Sequence, residues 1–265
     1  MTALDRLCAV LSEGGFWTIA VSGGVDSMTL ATLAHRHLPG QVRMCHATSP
    51  AVPAAAEELI SRQAKAEGWD LHILQTGEFG DENYRSNPVN RCYFCKSNLY
   101  SGILRDIAAR HSQQGGGHIA SGTNTDDLGD FRPGLAAAAE HGIRHPFVEA
   151  GISKADIRNL ARDAALDFAE LPAQPCLASR IETGIRIDPA DLAFVDQLEA
   201  LLRAGIPATS TLRIRIRRAG VSVETDAPLT GLHDLAAPFC AAAGRPFTGV
   251  TKYRQGSAFL HGAAR

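Results

Sequence analysis

No run of apolar residues in this chain approaches the length of a membrane span, so no membrane partner is expected. A dominant charge of either sign is also missing: the formal net charge is −2 at pH 7. Bulk electrostatics therefore give no reason to expect a nucleic-acid or acidic-lipid partner. The first residues, Met1-Thr2-Ala3-Leu4-Asp5-Arg6, lack a basic stretch followed by an apolar core, so no secretory signal is expected and a cytoplasmic location is. With no such signal, the six cysteines are expected as reduced thiols or metal ligands and not as a disulfide framework. Internal repeats and low-complexity segments are absent as well.

What the chain does have is alternation. Helical patterns at 2–13, 28–37, 53–67 and 91–111 are interleaved with short strand patterns at 17–21, 41–47, 71–74 and 118–121. Gln113-Gln114-Gly115-Gly116-Gly117 closes the longest helix, and Ser153-Lys154-Ala155-Asp156 reads as a capping box opening another. Strands separated by helices imply an α/β fold with a parallel sheet covered on both faces. The ligand is expected at the carboxyl ends of its strands. Residues 166–187 carry little periodicity and read as a connector. After them comes helix (about 189–203), two strands, helix (about 232–243) and a last strand near Gly249 to Tyr253. The expected organisation is a nucleotide-binding domain over 1–170, a connector over 171–187 carrying Cys176, and a small α+β domain over 188–265.

The hexapeptide Ser22-Gly23-Gly24-Val25-Asp26-Ser27 follows the first strand directly. A Gly-rich turn between strand and helix offers backbone N–H groups to an anion, and the serines add hydroxyl donors. No Lys-Ser/Thr pair follows the last glycine, so this is not a Walker A loop. It resembles the SGGxDS pyrophosphate loop of ATP pyrophosphatases, which cleave ATP between the α- and β-phosphates to activate an acceptor. The turns at Ala47 and Gly122 are expected at the same end of the sheet. A plain Ser/Gly turn is the structural alternative.

Cys92 and Cys95 stand three apart at the start of the long helix, flanked by Arg91 and Lys96. There they share a face and feel the positive helix terminus, which favours thiolates. Cys176 follows in Pro175-Cys176-Leu177-Ala178-Ser179-Arg180, whereas Cys8, Cys45 and Cys240 sit in apolar contexts and read as core thiols. Three thiolates without an evident fourth suit a [4Fe–4S] cluster with one open iron, although redox-active or structural roles stay open for the Cys-x-x-Cys pair.

These segments resemble the LarE-type sulfur transferases over nearly the full length. The matching stretches are SGGVDS, NPVNRCYFCK, GTNTDDLGDFRPG over 122–134, ISKADIR over 152–158, PCLASR and Tyr253-Arg254-Gln255-Gly256-Ser257. The resemblance implies an enzyme that uses ATP and Mg2+ to adenylate carboxylates of a pyridinium mononucleotide. Thiocarboxylates for a nickel-pincer cofactor result, with AMP and pyrophosphate released. It implies either a [4Fe–4S] cluster on Cys92, Cys95 and Cys176, reloaded from a sulfide source, or sacrifice of the sulfur of Cys176 itself. It further implies a homo-oligomer, a hexamer in the family. Where the family has Pro-Tyr-Gly after CLASR-x, this chain reads Glu182-Thr183-Gly184.

By the same resemblance, Ser22, Gly23, Gly24 and Ser27 hold pyrophosphate, with Asp26 a magnesium or loop-ordering carboxylate. Arg91 and Lys96 are phosphate candidates. Ala47, Gly122, Asp127, Arg132 and Arg180 are the remaining nucleotide and substrate candidates. Asp126, Asp127 and Asp130 suit magnesium, or equally a helix cap paired with Arg132. Leu212-Arg213-Ile214-Arg215-Ile216-Arg217 alternates strictly, which places its arginines on one strand face. Arg213, Arg215 and Arg217 there could hold a mononucleotide phosphate, the first two matching a basic pair of the family, or form an exposed face of surface ion pairs, the reading preferred for Arg217, with Glu224 balancing the cluster. A tRNA thiolase, an ammonia-using synthetase of the same fold and a nucleotide sensor are the competing readings.

Overall fold

The computed structural model describes residues 1–110, 117–129 and 132–254; His111, the glycine-rich stretch 113–116, Asp130, Phe131 and 255–257 lie outside them. The chain divides into two compact units. The first comprises Met1–Ser49, Ala54–Glu78 and Cys92–Glu170, and the second Pro50–Pro53, Phe79–Arg91 and the chain from Leu171 onward.

The first unit is built on four strands, β1 (Trp17–Val21), β2 (Val42–Thr48), β3 (Leu71–Gln75) and β4 (His118–Ala120). They pair in the order β3-β2-β1-β4, every pairing parallel. The chain fills one side of β1 first and then returns to its other side, so the crossovers diverge between β1 and β4. That divergence opens a crevice at the carboxyl ends of these two strands. All five residues of β1 are buried, as a continuous apolar run in a two-faced sheet requires.

The helices of this unit are α1 (Ala3–Ser12), α2 (Val25–His37), α3 (Ala54–Glu67), α4 (Arg91–Arg110, in this unit from Cys92), α5 (Pro133–Glu140) and α6 (Lys154–Asp163). Tyr100 and Ile103 of α4 pack with Ala20, Cys45 and Ile119 of the sheet, so Cys45 is a core thiol as its context predicts. Capping boxes start α1 (Thr2 with Asp5) and α6 (Ser153 with Asp156), satisfying N–H groups that the helix itself cannot. Sequence periodicity places the start of α2 at Met28. The structure begins it at Val25, because the last three residues of the loop motif already form the first helical turn.

The second unit holds a separate sheet of β5 (Leu212–Arg217), β6 (Gly220–Thr225) and β7 (Phe247–Lys252). β5 and β6 form an antiparallel hairpin, and β7 joins β6 in parallel. Helices α7 (Pro189–Arg203) and α8 (Leu232–Ala242) cover it. Leu192, Val195, Leu198 and Leu202 form the fully buried stripe of α7, at helical spacing. No helix among the described residues is long and apolar enough to cross a membrane.

Candidate functional site

In the first unit the loop after β1 is shaped by what its glycines allow. Gly23 has φ +77°, and a Cβ there would lie 2.7 Å from Cβ of Ala56 at the start of α3. Any side chain would meet both a strained backbone and a neighbouring helix. Gly24 is the N-cap of α2 and supplies no side-chain cap. The N–H groups of the first turn of α2 thus face the crevice as anion donors. Ser27 Oγ accepts the Ser22 amide (3.1 Å) and donates to the Gly24 carbonyl (3.1 Å), with Ser22 Oγ 3.1 Å away. These bonds fix the loop around its own two hydroxyls.

The turn after β4 closes against this loop. A Cβ on Gly122 would come within 2.6 Å of the Ser27 nitrogen and 2.9 Å of the Asp26 carbonyl carbon. Asn124 Nδ2 donates to Asp26 Oδ2 (3.2 Å), and Lys154 Nζ lies 3.4 Å from the same oxygen. The other carboxylate oxygen, Asp26 Oδ1, is buried without a hydrogen-bond partner. Burial raises the Asp26 pKa above the ordinary carboxylate value, against the lowering effect of Lys154. An orphaned buried carboxylate oxygen at an anion-binding loop fits a hard cation such as magnesium.

The nearby acids are committed to structure. Asp127 accepts the Asn124 amide (3.1 Å) and pairs with Arg132 (2.8 Å), while Asp126 accepts the Lys154 amide (2.9 Å) at the start of α6. Ser121 Oγ lies 2.9 Å from His145 Nδ1, and burial holds that imidazole below its ordinary pKa. Lys154, Asn124 and His145 are the site residues that sequence reasoning missed. Lys154 and Asn124 carried a signal, Lys154 beside the Ser153 cap of its helix and Asn124 in the stretch 122–134. Ala47 is half-buried near the carboxyl end of β2, paired with Leu74. Lys96 lies on α4 with its ammonium 5.9 Å from the Tyr100 ring centre, and a Cβ on Gly134 would touch its stem at 3.0 Å.

Cys92 is exposed and Cys95 half-buried in the first turn of α4, in the first unit; Cys176 is half-buried in the second. Among the described residues no group of three or more His, Cys, Asp or Glu side chains is gathered as a metal site. What speaks for a cluster is donor chemistry: three sulfurs outside disulfides, on residues that are exposed or half-buried.

In the second unit Cys176 caps a short 3-10 turn, Leu177–Arg180. Arg180 is 2 % exposed and holds Glu199 through two bonds (2.9 and 3.0 Å). Its remaining terminal nitrogen donates to the carbonyls of Pro175 (2.5 Å) and Cys176 (3.2 Å). Arg213 donates to the carbonyls of Leu212 (2.6 Å) and Ala173. Arg215 donates to the Ser179 carbonyl (2.8 Å) and to Glu224 (3.0 Å). Glu224 balances the arginines of this strand as expected, pairing with Arg215 and Arg217. Its arginine face is not an exposed one, because Arg213 and Arg215 are each 5 % exposed and both faces of β5 are covered. Desolvation and the neighbouring Arg180 bring the Arg213 pKa down to about 10. Arg91 is also buried and donates to the Asn87 side chain, whose amide in turn binds the Glu182 and Ile185 carbonyls (2.9 Å each). Its guanidinium therefore braces the turn at Glu182-Thr183-Gly184.

A parallel sheet with a Ser-Gly-Gly turn at its switch point defines the first unit as a Rossmann-like α/β domain of the pyrophosphate-loop kind. No protein-family model matches the chain. A protein of Synechocystis described only as uncharacterised is 41% identical over 202 residues, covering 76% of this chain and 73% of its own. The pyridinium-3,5-bisthiocarboxylic acid mononucleotide synthase of Lactiplantibacillus plantarum is 29% identical over 226 residues, covering 84% and 79%. An uncharacterised protein of Methanocaldococcus jannaschii is 27% identical over 208 residues, covering 78% and 77%. The chain belongs to the LarE family.

Proposed function

We propose that this protein is an ATP-dependent sulfur transferase that converts carboxylates of a pyridinium mononucleotide to thiocarboxylates, a step toward a nickel-pincer cofactor. The similarity over 84% of the chain to a synthase of pyridinium-3,5-bisthiocarboxylic acid mononucleotide carries the reading. The open first turn of α2 supports it.

In the first half-reaction a substrate carboxylate oxygen attacks the α-phosphorus of ATP, and the bond to the β-phosphate oxygen breaks. Ser22, Gly23, Gly24, Ser27 and the α2 terminus stabilise the charge that develops on departing pyrophosphate. Asp26 would hold magnesium, which would neutralise phosphate charge there, and Lys96 and Lys154 are the cations the chain itself offers. In the second half-reaction sulfur attacks the acyl carbon and AMP leaves. Cys92, Cys95 and Cys176 would hold a [4Fe–4S] cluster, which supplies an exchangeable sulfide on its open iron. The alternative donor is the Cys176 sulfur, whose loss leaves dehydroalanine. A sulfide source and a homo-oligomeric assembly belong to the same proposal.

The test is iron and acid-labile sulfide per chain after anaerobic reconstitution, in the parent and in Cys92→Ala, Cys95→Ala and Cys176→Ala, beside ATP–pyrophosphate exchange with the mononucleotide acid. Four irons lost in every variant supports the cluster. No iron, with Cys176 losing the mass of hydrogen sulfide after turnover, supports sacrifice. Absence of acceptor-dependent exchange overturns the proposal.

A further inference from the structure

His46 of β2 is a buried titratable group that the proposed nucleotide chemistry leaves unused. It stands opposite Val21 in the parallel register, and Val21 is the last residue of β1 before the loop. Nδ1 of its ring lies 3.0 Å from the Val21 carbonyl oxygen. A carbonyl only accepts, so Nδ1 carries a proton and donates it. The amide of the same peptide bond belongs to Ser22 and donates to Ser27 Oγ (3.1 Å). One rigid plane is thus clamped at its oxygen by His46 and at its N–H by the loop itself.

The other ring nitrogen, Nε2, is buried without a hydrogen-bond partner. His46 lines a cavity of about 90 Å³ with Thr48, Glu57 and Ser61. Glu57 Oε1 is 4.0 Å from Nε2, too far for a direct bond and within reach of a shared water. The cavity has room for about three waters, taking each at its share of liquid volume. Glu57 follows Ala56, the residue that a Cβ on Gly23 would strike. The first turn of α3 therefore backs the loop directly at Gly23 and, across the cavity, at the ring that holds its first peptide.

Backbone N–H groups aimed at a departing pyrophosphate act only if their direction is set beforehand, since a small misplacement at a reacting centre costs much of the rate. We infer that His46 is a positioning residue for the Ser22–Ser27 loop. It fixes the plane of the Val21–Ser22 peptide through Nδ1–H, and water shared with Glu57 partners its Nε2. The inference rests on the proposal that this loop holds pyrophosphate, but its first readout needs no turnover.

Two amide side chains separate this role from packing. The Asn amide nitrogen falls where Nδ1 lies in histidine and the Gln one where Nε2 lies, while Gln is closer to histidine in size. Positioning therefore favours His46→Asn, and packing favours His46→Gln. The first readout is exchange of the Ser22 amide by NMR in the full-length chain. His46→Gln is expected to raise its rate at least fivefold, and His46→Asn to stay within twofold of the parent. The second readout is acceptor-dependent pyrophosphate release. There His46→Gln is expected to lower kcat tenfold or more with the KM for ATP within threefold, and His46→Asn to keep kcat within threefold. Ser22 exchange in His46→Gln no faster than in His46→Asn overturns the inference. In an active parent, a kcat loss no greater in His46→Gln than in His46→Asn does so too. If His46→Gln does not fold, the parent and His46→Asn decide. Nδ1 protonated in the nitrogen spectrum of the parent, with Ser22 exchange unchanged in His46→Asn, supports the inference, and a bare Nδ1 or faster exchange sinks it. Failure of the proposed function itself would show differently, as a parent without pyrophosphate release whose Ser22 exchange still separates the two variants.

Discussion

The two irregular segments that carry chemistry are polarised in opposite senses. In the Ser22–Ser27 loop the backbone presents N–H groups, the glycines keep side chains away, and an acidic oxygen is left without a partner. Around Cys176 the backbone presents carbonyls, and buried arginines already occupy them. The first segment keeps its donors and one acceptor unspent, as the proposed nucleotide site requires. The second carries its cations inside. One has hydrogen-bonding capacity to offer and the other has its main-chain acceptors filled, and substitutions should separate them.

The largest effect is expected at Arg180. Arg180→Ala strands Glu199 among buried groups, and breaking such a pair by one partner costs about 3–5 kcal/mol. Denaturant unfolding measures it, and a cost under 1 kcal/mol would mean that the second segment is not internally saturated. Next is Gly122→Ala, whose Cβ would meet Ser27 N at 2.6 Å and push the two crevice loops apart. Pyrophosphate release should fall about 100-fold, the scale of a small misplacement at a reacting centre. Sulfur loading at Cys176 should stay unaffected. An equal loss of both would dissolve the contrast.

Lys154→Ala sharpens the comparison from the ligand side. Asp26 already titrates above the ordinary carboxylate value because it is buried, and Lys154 opposes that shift. Without the ammonium the shift grows, so the acid limb of pyrophosphate release, where Asp26 gains its proton, should move to higher pH. An unmoved limb would remove Asp26 from the nucleotide reaction.

The smallest effect is at the cap of α6, where Ser153→Ala should cost about 1 kcal/mol. The Ser153 amide and hydroxyl hold Asp156 below its ordinary value of 3.8. A carboxylate lowered in the folded state contributes stability above its unfolded pKa and loses it as pH falls through the folded one. The acid dependence of unfolding should therefore flatten in the variant.

The parallel sheet was legible because its strands are short apolar runs separated by helical periodicity, and β1 with its loop needed no further context. The loop glycines were legible as glycines, although only the fold shows that Ala56 and Ser27 are what they avoid. The alternation of β5 set which residues share a face but not what covers that face. Burial of Arg213 and Arg215 depends on a segment forty residues earlier whose own pattern is silent, since its carbonyls and not its side chains make the contact. Lys154 reads as a helix start, and its reach to Asp26 spans 128 positions of sequence. The helix Pro133–Glu140 escaped notice because its alanines give little amphipathic contrast.

The chain passes between its two units at residues 49/50, 53/54, 78/79, 91/92 and 170/171, five times in all. On the ribosome the pieces Pro50–Pro53 and Phe79–Arg91 therefore emerge long before the remainder of the unit they belong to. Arg91 and Asn87 must wait for Glu182 and Ile185, about a hundred residues of synthesis later. The first unit is thus whole in sequence once Glu170 has been made, while the second still waits for the chain from Leu171 onward. Its early excursions are stretches that nascent-chain proteases and chaperones would meet unprotected.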